Sequence, residues 1–331
     1  MAHALVIGGT SLIGPPLVEA LLDRGHAVTV MHRSSGTPFG RRVGELLADR
    51  NDPAAVRDAV GDRRFDLVFD NVYDWERGTT ADQVMSTVDV LSHDALERYV
   101  FMSSVAAYPE PGPGDGAFDE DAKLRPSSDP NVYGVQKAES ELALFRRAEA
   151  GGLRVATIRP AFVYGPHNPF PRESYFWDRL VAGRPIVVPE DGERTMQWVH
   201  AADVAEASIL AATSGGGLGG AFNLAGPPLT QTEFVRMLAR VAGVAAKLVH
   251  VPRAQIEQAG GKLLEPPLYF GAYLDIPPLP VTGARVRDVL GVELRDLEVG
   301  MRDTFAWYRE QDRPVPDTSW EDELLGTSGD V

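Results

Sequence analysis

The stretch ALVIGGTSLIGPPLVEALL, Ala4 to Leu22, decides the fold. Ala4-Leu5-Val6-Ile7 is a continuous apolar run that breaks into Gly8-Gly9-Thr10-Ser11-Leu12-Ile13-Gly14, after which Leu17, Val18, Ala20, Leu21 and Leu22 recur at helical spacing. The order is strand, glycine turn, helix. Pro15 and Pro16 fall in the first helical turn, where a missing N–H does little harm. A turn of this kind aims backbone N–H groups and the positive end of the helix dipole at one point, which suits a pyrophosphate.

Beyond it, Ala27 to Met31 is a second apolar strand, arriving about twenty residues after the glycine turn and ending at His32-Arg33-Ser34. A dinucleotide fold chooses its cofactor here: an acid accepts hydrogen bonds from the ribose hydroxyls, whereas an arginine pairs with a 2′-phosphate. No acid ends this strand, so Arg33 favours NADP over NAD, with Arg41 and Arg42 the other cations available to a phosphate. Strands are expected at Glu45–Asp49, Phe65–Asp70, Arg98–Met102 and Leu153–Arg159, with helices opening at Asp52-Pro53 and covering Ala81–Leu96. Alternation at this spacing predicts right-handed crossovers and a parallel sheet covered on both faces.

In DPNVYGVQKAESELALFRRA, Asp129 to Ala148, the pattern predicts a helix from about Val132 that stacks Tyr133 and Lys137 on one face. An ammonium one turn from a phenol favours the phenolate and lowers its pKa towards working pH. Ser104, at the end of the fifth strand, is placed to hydrogen-bond a reacting oxygen. Pro109 to Pro130, rich in Pro, Gly and Asp, reads as a surface excursion.

Composition narrows the classes. The 331 residues are 44% hydrophobic, enough for a sizeable core, and the net charge of −15 opposes a nucleic-acid partner. The absence of cysteine removes disulfides, thiol nucleophiles and cysteine-based metal sites. The seven histidines show no metal-binding spacing, and the apolar run near the N-terminus is too short for a signal peptide or membrane span, so a cytoplasmic, metal-free protein is expected.

The motifs together resemble the extended short-chain dehydrogenase/reductase family, in its nucleotide-sugar epimerase and dehydratase group. They are GGTSLIG, the strand-end pair Ser103-Ser104, YGVQK at Tyr133–Lys137, RPAFVYGP at Arg159–Pro166, GRPIVVPEDGE at Gly183–Glu193 and QWVHAADVAEA at Gln197–Ala207. The resemblance implies that Tyr133 is the acid/base, that Ser104 holds the same substrate oxygen, and that Lys137 binds the nicotinamide ribose while lowering the tyrosine's pKa. It places cofactor contacts at Gly8, Thr10, Ser11, Leu12, Ile13, Gly14, Arg33, Asp49, Arg50, Asn71, Tyr133, Lys137, Pro160 and Val163. GGTSLIG, DNVYDW and RPAFVYGP resemble a subgroup that includes the chloroplast stem-loop RNA-binding proteins. Homodimers through Rossmann-domain helices are common among such relatives, and one is expected here.

Departures from the pattern bear on the reaction. Ser11 replaces a usual glycine, and Asp70-Asn71-Val72-Tyr73 replaces a small, Ala-rich strand end. Val105-Ala106 stand where the 4,6-dehydratases carry Asp-Glu, so dehydration is disfavoured. Phe162 and Met196 replace an Asn and an Arg that serve a substrate diphosphate, each such contact being worth about 1.5–3 kcal/mol, with Arg194 as a substitute cation.

The expectation is an α/β protein: a Rossmann-like doubly wound parallel sheet with a smaller C-terminal substrate-binding lid. Residues 1–165 form the dinucleotide domain with 195–225 returning to it, 166–194 and 226–315 the lid, and 316–331 a disordered acidic tail. The expected activity is NAD(P)-dependent oxidation, reduction or epimerisation at a secondary alcohol or ketone of a sugar-like small molecule, with Ser104, Phe162 and Met196 beside the substrate. The alternative is a non-catalytic dinucleotide sensor or RNA-binding protein on the same fold.

Overall fold

Alternate residues of the first strand enter different cores, which fixes the architecture around it. The computed structural model describes residues 1–34, 36–91, 96–215 and 219–326. In strand β1 (His3–Ile7), Ala4 and Val6 pack with Leu17, Val18 and Leu21 of helix α1 (Gly14–Asp23) and with Val204 and Ala207. Leu5 and Ile7 face the other way, towards Val56 and Val60 of α2 (Pro53–Val60), Val84 and Val88 of α3 (Ala81–Leu91) and Leu144 of α4 (Val132–Glu149). Burial on both faces explains the unbroken apolar run.

Around β1 lie β2 (Ala27–His32), β3 (Gly44–Leu47), β4 (Leu67–Asp70), β5 (Arg98–Met102), β6 (Val155–Pro160) and the Ala221–Leu224 strand. Among the described residues they make one seven-stranded sheet, in the order Ala221–Leu224, β6, β5, β4, β1, β2, β3. All six pairings are parallel. The strand order reverses at β1, flanked by β4 and β2, so the ligand crevice of this fold lies beyond their C-terminal ends.

The chain divides into two units. The first comprises Met1–Val163, Val199–Ala225 and Val281–Leu294, and the second Tyr164–Trp198, Gly226–Pro280 and Arg295–Val331. The return at Val281–Leu294 departs from the reading that gave 226–315 wholly to the lid. It is anchored by a bridge from Phe118 to Val281 and by Asn223 Nδ2, which donates to the Thr282 carbonyl at 3.3 Å. The Pro109–Pro130 excursion is fastened to the same place: Glu120 is buried and accepts from the Asn223 N–H at 2.9 Å.

In the second unit, the helix Gln231–Ala242 opens with a capping box of Thr230 and Glu233, as its sequence dictates. Residues Ser319–Leu324 form a helix whose Trp320 and Glu321 are buried. Glu321 accepts from Arg179 Nε at 2.7 Å, and Asp322 pairs with Arg184. This corrects the expectation of a disordered tail from 316, up to residue 326; 327–331 lie outside the described residues. So do 92–95, near the end of the helix expected over Ala81–Leu96, and 216–218. Among the described residues no helix is long and apolar enough to cross a membrane.

Candidate active site

The glycine turn needs its glycines for three separate reasons. Gly8 has φ +83°, and a Cβ there would stand 2.7 Å from Val72 Cγ2. A Cβ on Gly9 would meet Val30 at 2.8 Å, and one on Gly14 would lie 2.4 Å from the Gly9 carbonyl carbon. The last contact is the close approach of helix α1 to the strand that feeds it. Ser11 is exposed, while the left-handed conformation falls on Leu12, at φ +45°. The turn thus closes without a glycine at 11, at the cost of backbone strain at 12.

Asn71, just past β4, donates its backbone N–H to the Ile7 carbonyl at 3.0 Å, and its side-chain Nδ2 is buried with no partner in the protein. Its Cβ lies 3.7 Å from the Cβ position of Gly8. An unmet donor beside a glycine cradle that side chains cannot enter fits a dinucleotide with acceptor oxygens. Gly8, Gly14 and Asn71 would hold it, and Thr10, Ser11, Leu12 and Ile13 lie in the same turn.

The helix α4 begins at an Asn131 cap whose side chain accepts from the Gly134 N–H. Gly134 is required there, since a Cβ would stand 2.2 Å from the Ala106 carbonyl oxygen. One turn apart on this helix, Tyr133 is half-buried and Lys137 is 4% exposed. Lys137 Nζ donates to the Met102 carbonyl at 2.7 Å, at the end of β5. It also lies 4.8 Å from the Phe101 ring centroid and 5.9 Å from that of Tyr133. Burial lowers its pKa from 10.5 to about 8, against the opposing fields of Asp70 and Glu141. Two residues beyond Met102, the Ser104 hydroxyl accepts from the Ala106 N–H at 3.1 Å and caps a 3₁₀ turn, Val105–Ala107. Its proton is left to donate.

Two buried ion pairs flank Lys137. Arg50 is only 2% exposed; its Nε donates to Asp70 Oδ1 at 3.2 Å and its Nη1 to the Gln83 carbonyl at 2.9 Å. Tyr99 adds a hydroxyl to Asp70 at 2.6 Å. The resemblance placed Arg50 among the cofactor contacts, but its guanidinium is turned into the fold. On the other side, Glu141 accepts from Arg159 Nη2 at 2.7 Å, from the Thr157 hydroxyl at 3.0 Å and from Ser103.

Sequence reasoning missed the aromatic cover of the tyrosine. Trp75 stacks on the Tyr133 ring at 4.9 Å and 26°, and Tyr73 meets it edge-on at 4.7 Å. Tyr73 donates to Gln136 Oε1 at 2.8 Å, which also accepts from the Thr79 N–H at 3.0 Å. The signal was present in DNVYDW, read as a departure at the strand end and as a subgroup motif but not as a cover for Tyr133. The same loop meets Arg33, whose Nη1 lies 3.5 Å from Asp74. Arg42, one of the two further phosphate candidates, is engaged by Glu19 at 2.6 Å. Pro160 and Val163 are buried in the first unit, with Phe162 half-buried between them. Met196 is 4% exposed and belongs to the second unit, where it pairs with Leu229. Arg194, the substitute cation, is held by Asp275 at 3.0 Å.

A doubly wound sheet with a glycine turn at its switch point, and a Ser–Tyr–Lys set at the end of β5 and the start of α4, defines the short-chain dehydrogenase class. Within that class, residues 4–225 match the NAD dependent epimerase/dehydratase family, and the chain belongs to it. Similar proteins include the Arabidopsis thaliana chloroplast stem-loop binding protein of 41 kDa b, 31% identical over an aligned stretch of 219 residues, covering 62% of this chain and 53% of that protein. This chain therefore spans about half of that relative. A dTDP-4-dehydro-6-deoxy-D-allose reductase of Streptomyces bikiniensis is 25% identical, covering 93% of this chain and 97% of the relative. Among solved structures, a Thermus thermophilus UDP-glucose 4-epimerase in complex with NAD shares the fold at TM-score 0.73 and 23% identity, covering 93% of this chain and 99% of that one. The family is one of NAD-dependent epimerases and dehydratases, so its cofactor is a nicotinamide dinucleotide.

Proposed function

We propose that this protein is an NADP-dependent oxidoreductase or epimerase acting at a secondary alcohol or ketone of a sugar-like substrate. A bound nicotinamide supplies the hydride donor or acceptor. Tyr133 holds and moves the proton at the substrate oxygen, Ser104 donates a hydrogen bond to that oxygen, and Lys137 binds the nicotinamide ribose and biases Tyr133 towards the phenolate. The observation that carries the reading is Lys137 itself. It is buried, anchored on the Met102 carbonyl one turn from Tyr133, and changes charge near pH 8, close enough to neutrality to serve proton transfer. The sugar-like class is supported by the names of the relatives, and NADP by Arg33, 68% exposed at the end of β2. Val105 and Ala106 carry neither acid nor base, so no elimination of water is included.

Tyr133→Phe is expected to bind NADPH as the wild type does while lowering turnover of a keto-sugar substrate by about 10²- to 10⁴-fold. Unchanged turnover would remove the assignment of Tyr133. Calorimetric titration of NADPH and NADH into wild type and Arg33→Ala tests cofactor choice; a wild type that prefers NADH contradicts the role of Arg33.

A further inference from the structure

Three strand ends meet at one rim of the first unit: β2 runs into Arg33, β3 is followed by Asp49, and the loop after β4 brings Asp74 and Arg77. Arg77 bridges the two acids. Its Nη2 lies 2.5 Å from Asp49 Oδ2 and 2.6 Å from Asp74 Oδ2, and Arg33 Nη1 approaches that same Asp74 oxygen at 3.5 Å. Two guanidinium groups from different strand ends therefore converge on a single carboxylate oxygen. Both are mostly exposed, at 68% for Arg33 and 57% for Arg77, so either can turn to a ligand without leaving the core.

Each acid keeps a backbone donor besides the arginines. Asp74 Oδ1 accepts from the backbone N–H groups of Glu76 and Arg77, each at 3.0 Å, and its own N–H donates to the Thr79 hydroxyl at 3.1 Å. The Arg77 N–H is the largest influence holding the Asp74 carboxyl below its usual range. Asp49 accepts from the Asn51 N–H at 2.9 Å. The loop itself is tied to α4 through Gln136. An arginine that swings away leaves a carboxylate that is still hydrogen-bonded and, at Asp49, partly open to water.

We propose that Arg77 is a second cation for the 2′-phosphate of NADP, supplied by the loop after β4 to the place where Arg33 ends β2. The inference rests on the NADP reading above. A phosphate dianion offers three strong acceptor oxygens, more than one guanidinium fork engages, and it replaces the Asp74 oxygen that the two arginines now share. The sequence pattern points to Arg33 and its near neighbours Arg41 and Arg42, and not to Arg77, because a cation some forty residues further on shares neither strand nor helix with the end of β2.

The test compares 2′,5′-ADP with 5′-AMP, which differ only by the 2′-phosphate, using calorimetry on wild type, Arg33→Ala, Arg77→Ala and Arg77→Gln. Arg77→Ala and Arg77→Gln are each expected to weaken 2′,5′-ADP by about tenfold or more and to leave 5′-AMP within about twofold. Equal weakening of both ligands would mean that Arg77 only holds the loop, and no weakening of either would mean that it does not reach the phosphate; each result overturns the inference. If Arg33→Ala loses the 2′-phosphate preference while the Arg77 variants keep it, the NADP reading stands and the inference about Arg77 falls. If the wild type shows no preference for 2′,5′-ADP, both fall together.

Discussion

Arg159 and Arg77 each hold carboxylates near the crevice, one beneath the sheet's end and the other at its rim. Arg159 and Glu141 are almost fully buried, and Glu141 is also bonded to Ser103 and Thr157, so neither charge has water to turn to. Arg77 is 57% exposed and Asp49 is partly open to water, and although the Asp74 side chain is only 6% exposed, both acids keep backbone donors of their own. The difference separates architecture from recognition. A buried pair fixes positions because losing one partner strands the other, whereas an exposed pair can trade partners at small cost.

Removing one partner should expose that contrast most sharply on the buried side. Arg159→Met removes the ion-pair partner of the buried Glu141 and is expected to lower unfolding stability by about 3–5 kcal/mol in urea titrations. A loss below about 1 kcal/mol would place Arg159 in the same class as the rim arginines.

Lys137 is the intermediate case, a buried charge without a carboxylate of its own. Its folded pKa, about 8, lies below its ordinary 10.5, so between those values the unfolded chain binds more protons and stability rises with pH. Below pH 8 the folded protein carries the full penalty of a buried ammonium. Lys137→Met is therefore expected to stabilise the protein at pH 7 by about 1–3 kcal/mol, while abolishing turnover. The gain should shrink as denaturation is repeated from pH 8 towards pH 10.5. A destabilised variant at pH 7 would show that the Met102 hydrogen bond outweighs the charge.

The smallest effect belongs to the exposed pair Arg42–Glu19, whose side chains are about half open to water. Arg42→Ala is expected to shift the urea midpoint least of the three variants at low salt and by less again at high salt.

The same contrast explains what could be read from the chain. Turn chemistry and periodicity are local, so the Gly8–Gly14 turn, the alternation of strands and helices and the shared face of Tyr133 and Lys137 were visible in the sequence. Burial of charge is not local. Arg50 follows a strand and reads as a loop cation, yet Asp70, twenty residues on, draws it inside. Glu321 sits in an acidic run that reads as solvated, and only Arg179 and Tyr175, far back in the chain, give it a buried partner. Val281–Leu294 rejoins the first unit through Phe118 and Asn223, contacts that no periodicity announces. The DNVYDW loop could be recognised as unusual, but not as the cover of Tyr133, because stacking depends on where β4 ends relative to α4.

Trp75 gives that cover an optical dimension. Of the five tryptophans, Trp177, Trp198 and Trp320 are buried and Trp307 is partly so, whereas Trp75 is 49% exposed and lies face to face with the ring of Tyr133. A water-borne quencher such as acrylamide should therefore reach it ahead of the buried three. The difference in emission between wild type and Trp75→Phe isolates a chromophore that the fold has set directly against the tyrosine, so the environment of that one ring can be followed by light before any substrate is known.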